Sequence, residues 1–284
     1  MILAPRDSLL ALNTATLGHN LEGAGAGWSP ERTIAACAER GIGGIVFWRR
    51  EIAGREAEIG ERVRAAGLSV VGLCRAPYLV GREAPRDDAA VMDAFHASID
   101  AAAALGAPVL TIVAGGIEPD TRGPETSLRR LEDRVARGAD YAAARGVRLA
   151  LEPLHPVYGA NRSCLTSLRD AIDMCGRIGA PNIGVAVDVY HVWWDTDLAR
   201  QLLRPECRIE GVHLCDWLHD TSDILLDRGM MGDGVADIPA IRSAARDAGY
   251  QGYCEVEIFS ARNWWRRDPG EVLDTLIERF VSAC

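Results

Sequence analysis

The sequence contains no lysine, and all 31 of its basic residues other than histidine are arginines. Lysine supplies the amine for Schiff bases and for attachment of pyridoxal phosphate, and it contacts the phosphates in P-loop enzymes. The absence of lysine therefore excludes these three kinds of chemistry.

Paired cysteines are also absent. The eight cysteines stand singly, no two of them form a Cys-x-x-Cys motif, and several fall within apolar runs. A disulfide framework or a cysteine-based zinc site would need a pattern of paired cysteines. We predict that the cysteines are reduced and mostly buried.

The chain lacks an excess of positive charge and a long apolar run. Its formal net charge is -9, whereas a nucleic-acid-binding surface needs clustered arginine and lysine to displace phosphate counterions. No run approaches the roughly 18 apolar residues of a membrane-spanning helix. Residues 1–18 lack the basic start and apolar stretch of a secretory signal. The sequence predicts a cytoplasmic protein with neither nucleic acid nor membrane among its partners.

Short apolar runs alternate with longer stretches of helical period, eight times in all. This alternation is typical of βα units around a parallel sheet. Because no linker divides the chain, we predict one α/β domain over residues 1–284, a single (β/α)8 TIM barrel, with a doubly wound open sheet as the alternative. The expected strands are residues 9–16, 44–48, 69–74, 109–113, 148–152, 184–188, 209–214 and 253–258.

Three of the intervening helices start at recognisable caps, whose side-chain oxygens would accept a hydrogen bond from a free backbone N–H. The caps are Ser29 for a helix over 33–40, Thr126 or Ser127 for 128–145, and Asp237 for 240–248. Glycine, which tolerates a left-handed conformation, is expected to end five helices. These glycines are Gly67, Gly106, Gly146, Gly179 and Gly249.

Four acidic or histidine residues each stand where an apolar run gives way to a loop. Barrel enzymes carry their chemistry at the carboxyl ends of the strands, where these residues would meet. Three carboxylates and one imidazole suit one open site for Mn²⁺, Mg²⁺, Zn²⁺ or Co²⁺, the alternative being four separate solvent-facing residues. Glu255 would face the interior one layer lower and could pair with Arg148. The four candidate ligands are Glu152, Asp188, His213 and Glu257.

At these residues the chain resembles the xylose-isomerase-like barrel superfamily. That superfamily holds sugar isomerases and epimerases, hydroxypyruvate isomerase, inosose dehydratase and the type IV apurinic endonucleases. The resemblance covers the C-terminal half in family order, while the N-terminal half matches in its βα rhythm and in APYL (76–79). The matching segments are LALEPLHP (149–156), VAVDVYH (185–191), GVHLCDW (211–217), GDGVADIPAI (232–241) and EVEIFS (255–260).

The resemblance implies that the four candidate ligands bind one metal ion and that Glu152 and Glu257 also act as the acid/base pair. The endonuclease branch binds three zinc ions through additional histidines. The corresponding positions of this chain hold Arg75, the segment 113–115 (Val-Ala-Gly) and the segment 227–229 (Asp-Arg-Gly). The resemblance therefore implies the sugar branch rather than DNA repair.

Two histidines and one arginine are candidate substrate contacts. By resemblance His191, three residues after Asp188, contacts the substrate, with a loop residue as the alternative. His155 is either a substrate contact or a loop residue. Arg228 could replace the arginine that sugar epimerases have six residues after the metal histidine, where this chain has His219. The alternative for Arg228 is a solvated loop residue.

Six tryptophans follow the expected strand ends and would lie on the face that carries the metal site. Indole rings stack on the C–H faces of sugars and shield a pocket from water, but they are also enriched in subunit contacts. We expect both uses, with Trp48 and Trp217 as the substrate contacts. The six are Trp48, Trp193, Trp194, Trp217, Trp264 and Trp265.

Together these residues predict a divalent-metal-dependent isomerase or epimerase of a small sugar, keto-sugar or sugar derivative, with Mn²⁺ favoured. It would remove the proton alpha to a carbonyl and pass through a metal-stabilised enediolate. A lyase or dehydratase acting on a keto-sugar, keto-inositol or 3-keto-glycoside is the alternative, since its first half-reaction is identical. A non-catalytic sugar-binding barrel and an apurinic endonuclease are further alternatives. We expect a homo-oligomer, a dimer or a tetramer. A phosphorylated sugar would need an anion site, for which Arg228, Arg262 and Arg266 are candidates.

Overall fold

The computed structural model describes residues 9–284 and contains eight strands that close into one barrel. Each strand pairs in parallel with the next one in the chain, and the last strand pairs with the first. The predicted single (β/α)8 barrel is confirmed. The strands are β1 (Leu10–Asn13), β2 (Gly44–Trp48), β3 (Ser69–Cys74), β4 (Val109–Ile112), β5 (Arg148–Leu151), β6 (Ile183–Asp188), β7 (Ile209–Leu214) and β8 (Cys254–Val256).

Ten α-helices lie in the intervals and after β8. None of the helices in residues 9–284 is both long enough and apolar enough to cross a membrane. Three short 3-10 turns follow strands and therefore lie at the end of the barrel formed by the carboxyl ends of the strands. They are Thr14–Leu17, Pro156–Tyr158 and Trp264–Arg266. The helices are α1 (Pro30–Arg40), α2 (Arg49–Ile52), α3 (Glu56–Ala65), α4 (Asp88–Leu105), α5 (Glu125–Ala143), α6 (Leu168–Ile178), α7 (Val189–Val192), α8 (Leu198–Leu202), α9 (Ile238–Asp247) and α10 (Pro269–Ser282).

All eight predicted strands exist, and the first and last are shorter than expected. The strand predicted over 9–16 ends at Asn13, because the Asn13 side chain accepts a hydrogen bond from the backbone N–H of Ala15 at 3.0 Å and starts a 3-10 turn. The strand predicted over 253–258 extends over Cys254–Val256. The functional residues near these two ends therefore lie at or just beyond the last strand residue.

Two of the three predicted helix caps are confirmed. The side chains of Ser29 and Asp237 accept hydrogen bonds from backbone N–H groups three residues further on, at 3.3 and 3.0 Å. The prediction of Thr126 or Ser127 was wrong, because α5 begins one residue before this pair and has no side-chain cap. The Ser127 hydroxyl instead accepts a hydrogen bond from the backbone of Glu118 at 2.9 Å. The five glycines predicted at helix ends have φ between +68° and +91°.

Small side chains fill the barrel interior below the candidate metal ligands. Ala150 and Ala186 pack with Val109 in a separate buried cluster. A methyl group added to Gly211 would lie 3.0 Å from His213 Nε2, so glycine leaves the space that the imidazole ring occupies. Six of the eight cysteines are buried, and all eight are free. The layer of small residues therefore lets polar side chains enter the inner face of the barrel rim.

Candidate metal centre and active site

The four residues predicted to bind a metal lie together at the carboxyl end of the barrel. Asp188 ends β6 and is the register partner of His213 in β7. Glu152 and Glu257 follow β5 and β8, and their backbone N–H groups still donate to the neighbouring strand at 2.9 and 3.0 Å. One potential ligand atom from each residue lies within 4.8 Å of the others, and all four residues are buried. Within residues 9–284 this is the one such cluster found.

Two of these ligand atoms lack a hydrogen-bond partner. His213 Nδ1 and Glu152 Oε1 are 2.8 Å apart, yet neither atom has a partner in hydrogen-bonding geometry. Buried polar atoms are rarely left in this state, and a cation between them would satisfy both. On the other side of the ring, His213 Nε2 lies 3.4 Å from Glu255 Oε1. Metal-binding histidines commonly have such an outer carboxylate partner.

Arg228 lies inside the site rather than in solvent. Its Nη1 atom is 3.3 Å from Asp188 Oδ2 and 3.5 Å from Glu257 Oε2. The guanidinium carbon is 4.3 Å from the ring centroids of both Tyr190 and Phe259. The side chain is 3% exposed, so this arginine is a fixed buried cation that contacts two of the four candidate ligands.

Asn13 is a site residue that the sequence analysis missed. Its Nδ2 atom donates hydrogen bonds to Glu255 Oε1 and Glu257 Oε1, both at 3.0 Å, and its Oδ1 atom accepts one from Trp48 Nε1 at 3.0 Å. The predicted pairing of Glu255 with Arg148 was wrong. Arg148 lies at the amino end of β5, away from the metal ligands, and pairs with Glu210 there. A signal for Asn13 existed, since it is a polar residue that ends an apolar run.

Burial raises the pKa values of two site carboxyls. The pKa of Asp188 rises to about 6 and that of Glu257 to about 8, because removal from water disfavours the charged form. Arg228 opposes both shifts and Glu152 adds to them. Burial also disfavours the charged form of His213, but three neighbouring carboxylates, Glu255, Glu152 and Glu257, outweigh this effect, so the His213 pKa lies well above its usual value. A divalent cation would favour the ionised form of both carboxyls.

Comparison with known proteins shows the family to which the chain belongs. A family model described as the xylose isomerase-like TIM barrel matches residues 34–280. The chain belongs to this family. A solved structure, protein SMc04130 from Sinorhizobium meliloti 1021, is 40% identical with a TM-score of 0.90, over 98% of this chain and 99% of that one. By sequence, no curated protein matches the chain.

Two more distant structures show the same fold. The IolI protein, which was solved with a bound zinc atom, is 17% identical with a TM-score of 0.79, over 96% of this chain and 97% of that one. A D-psicose 3-epimerase, solved in the presence of D-fructose, is 15% identical with a TM-score of 0.74, over 96% of this chain and 97% of that one. The xylose isomerase-like fold thus includes a sugar epimerase and a zinc-binding protein.

His191 lies beside the ligand cluster of this xylose isomerase-like barrel. Its Nδ1 atom accepts a hydrogen bond from the backbone of His155 at 3.2 Å, so in the neutral ring the proton is on Nε2. Nε2 lies 3.5 Å from Asp188 Oδ2. Burial, with Arg228 and other nearby cations, lowers the pKa of His191 well below its usual value. The ring of His155 stacks on Trp217 at 4.8 Å and does not line the cavity.

The cavity that leads to the ligand cluster has an apolar wall. Trp48, Phe259 and Leu225 line it, and the Trp48 and Phe259 rings meet edge to face at 5.8 Å. Trp217 does not line the cavity and stacks on Tyr190 at 4.7 Å. Of the six tryptophans expected on this face, Trp48 is the one that lines the cavity within residues 9–284. The others pack or donate hydrogen bonds around it.

The two surface arginines suggested for an anion site lie elsewhere. Arg262 is exposed and donates a hydrogen bond to the Ser222 hydroxyl at 2.7 Å. Arg266 is also exposed and donates to a backbone carbonyl at 3.0 Å. Neither lines the cavity, whereas Arg75, Arg162 and Arg228 do. Arg75 occupies the position that carries an additional histidine in the endonucleases.

Proposed function

We propose that this chain is a divalent-metal-dependent isomerase or epimerase of a small keto-sugar or sugar derivative. The observation that carries the proposal is the convergence of Glu152, Asp188, His213 and Glu257 to within 4.8 Å in a buried site. The unpartnered Glu152 Oε1 and His213 Nδ1 atoms fit a cation. Three carboxylates and one imidazole suit Mn²⁺, with Mg²⁺, Zn²⁺ and Co²⁺ as alternatives.

The bound ion would withdraw electron density from a substrate carbonyl and so acidify the neighbouring C–H group. The chain's own residues then move the proton. Glu257 and Glu152 both line the cavity, so one can remove a proton and the other can deliver one. A positioned carboxylate can act as a general base, and the same group once protonated can act as a general acid.

The remaining residues of the cavity orient the substrate and exclude water. The Nε2–H group of His191 can donate a hydrogen bond to a substrate oxygen. Trp48 and Phe259 offer ring faces and edges to the C–H groups of a sugar. Arg228 is held by two ring contacts and two carboxylates, so its charge is already in place when substrate arrives. Such preorganisation lowers the cost of stabilising charge that develops during proton transfer.

Metal analysis and proton exchange test this proposal. Purified protein reconstituted with Mn²⁺ should hold about one ion per chain, and Asp188→Asn should lose it. Solvent deuterium should enter a panel of keto-sugars only with metal present, and Glu257→Gln should abolish the exchange. The matched control is Glu210→Gln, which alters a buried glutamate at the opposite end of the barrel. Wild-type protein that binds no divalent ion, or undiminished exchange in Glu257→Gln, would contradict the proposal.

A cytoplasmic location and a homo-oligomeric state, either dimer or tetramer, are part of the same proposal. Their support is the charge and composition of the chain and the tryptophans that do not line the cavity. Light scattering on the purified protein measures the assembly directly. A monodisperse monomer would contradict the oligomeric part of the proposal and leave the chemistry untouched.

A further inference from the structure

Three arginines line the cavity above the ligand cluster, and two of them have no carboxylate partner among residues 9–284. Arg228 is paired with Asp188 and Glu257. Within residues 9–284, by contrast, no carboxylate oxygen lies within 4.0 Å of the guanidinium group of Arg75 or Arg162. Arg75 donates one hydrogen bond, to a backbone carbonyl at 3.1 Å.

Aromatic rings hold the two unpaired guanidinium groups. The guanidinium carbon of Arg75 lies 4.0 Å from the ring centroid of Tyr78, and that of Arg162 lies 5.9 Å from the ring centroid of Tyr158. Both tyrosines belong to one buried apolar cluster, and the Tyr158 hydroxyl donates to the Ile224 carbonyl at 2.6 Å. A cation placed over an aromatic face keeps its in-plane N–H groups available. The two arginines can therefore donate to a ligand.

The charge balance of the cavity favours an anion. With a divalent ion bound, the ion and the three cavity arginines carry five positive charges, against four negative charges on the three carboxylate ligands and on Glu255 beside His213. Arg49 adds to this field: burial lowers its pKa, Glu56 opposes that shift, and Arg75 lowers the pKa further. A cleft with such a surplus attracts negatively charged ligands. A neutral sugar would leave the surplus uncompensated.

We propose that Arg75 and Arg162 bind a carboxylate or phosphate group of the substrate, so that this site takes a sugar acid or a sugar phosphate. The inference rests on the proposed function, since it names the substrate class of that same site. Guanidinium groups match the oxygens of both anions through paired N–H donors. The apolar wall of Trp48 and Phe259 then faces the carbon skeleton, and the metal ligands face the carbonyl end.

Binding of three matched probes to the Mn²⁺-loaded protein tests the proposal. The probes are D-fructose, which is neutral, 5-keto-D-gluconate, which carries a carboxylate, and D-fructose 6-phosphate. Calorimetry should give a Kd for at least one of the anions that is about tenfold or more below that of D-fructose. The advantage should shrink as ionic strength rises. Comparing the two anions shows whether the group is a carboxylate or a phosphate.

Arginine variants assign the preference to this site. Arg75→Met and Arg162→Met should each remove most of the anion's advantage, raising the Kd of the anion by a larger factor than the Kd of D-fructose. Arg266→Met, at an exposed arginine outside the cavity, should keep the advantage. Three results would each overturn the inference. They are equal affinity for all three probes, failure of both anions to bind, and an anion preference that survives in the double variant Arg75→Met/Arg162→Met. If the inference fails in one of these ways but the wild-type protein binds metal and exchanges deuterium into D-fructose, the proposed function still stands. If the wild-type protein binds no metal, the proposed function itself is refuted.

Discussion

Replacement of Arg228 by methionine should weaken the metal-free fold and tighten metal binding. The guanidinium lies 3.3 Å from Asp188 Oδ2 and 3.5 Å from Glu257 Oε2, so it contacts two of the candidate metal ligands. In the metal-free protein it stabilises these two groups. With a divalent ion present it opposes the ion, because two cations then share the same carboxylates. The two effects of the substitution have opposite signs.

The magnitudes follow from these distances. Removal of one partner from a buried ion pair costs about 3 kcal/mol or more, which in a domain of this size lowers Tm by roughly 6 °C or more. A ligand oxygen lies about 2 Å from such an ion, so guanidinium and ion would be at most roughly 5 to 6 Å apart. In the variant, a proton can replace the guanidinium on one carboxylate, and the ion must then displace that proton. Because the ion carries two positive charges and the proton carries one, a net gain of one charge unit remains. One unit of relieved repulsion at an effective dielectric constant of about 20 amounts to about 3 kcal/mol, and screening reduces it to about 1. Metal binding should thus tighten by about ten- to hundredfold.

Thermal unfolding of the metal-free proteins and calorimetric titration with Mn²⁺ measure the two effects. Arg228→Gln serves as a second variant, since it keeps hydrogen-bond donors and removes the charge. It should lose less stability than Arg228→Met and still bind metal more tightly than wild type. Arg266→Met, at an exposed arginine, should change neither quantity. If both Arg228 variants bind Mn²⁺ no more tightly than wild type, the electrostatic reasoning about this residue is refuted.

Three further predictions concern the surroundings of the site. Metal binding should weaken by about tenfold or more per pH unit as pH falls below 8, because the ion must displace the proton of His213, whose pKa lies well above its usual value, and the proton that burial retains on Glu257, whose pKa rises to about 8. As pH rises through that value the metal-free protein should lose stability, since the fold favours the protonated carboxyl; calorimetry and thermal unfolding across pH check both, and a flat profile would contradict them. Asn13→Leu should cost about 2 to 5 kcal/mol in denaturant unfolding and weaken Mn²⁺ binding, because it removes hydrogen bonds to two glutamates and to Trp48; unchanged metal affinity would limit Asn13 to a structural role. Asp216→Asn should increase hydrogen exchange in residues 228–236, since this carboxylate accepts four backbone N–H bonds there and at Trp217; unchanged exchange would show that the loop does not depend on it.

The sequence predicted the barrel and the ligand cluster because both have a local signature. Alternating apolar periods identify each βα unit, and a polar residue at the end of an apolar run identifies a side chain at the barrel rim. Glu152, Asp188, His213 and Glu257 all have this signature, and the closed barrel brings them together. The spacing of these residues along the sequence does not by itself show that they lie close together; that conclusion requires the barrel fold.

The partners of these residues could not be predicted in the same way. Arg228 lies in the long loop after β7 that also includes exposed residues, and its burial depends on the ring of Tyr190 in α7 and the ring of Phe259 after β8. Glu255 faces the interior as expected, but the choice between Arg148 and His213 as its neighbour depends on depth along the barrel axis. Arg148 starts its strand and His213 lies near the end of its own. Strand alternation gives the face of a residue, and the layer follows only from the register between strands.

Arg228 and Asn13 also explain how the fold can bury four acidic side chains in one small region. Carboxylates removed from water need compensating charge or hydrogen bonds. The arginine contacts Asp188 and Glu257, and the asparagine amide donates to Glu255 and Glu257. These internal partners offset part of the cost of burial without any ion, so folding need not wait for a metal. The Glu152 Oε1 and His213 Nδ1 atoms are 2.8 Å apart and attract each other electrostatically, but neither has a partner in hydrogen-bonding geometry. An ion would therefore act chiefly at this pair, to which residues 9–284 supply no well-oriented hydrogen bond.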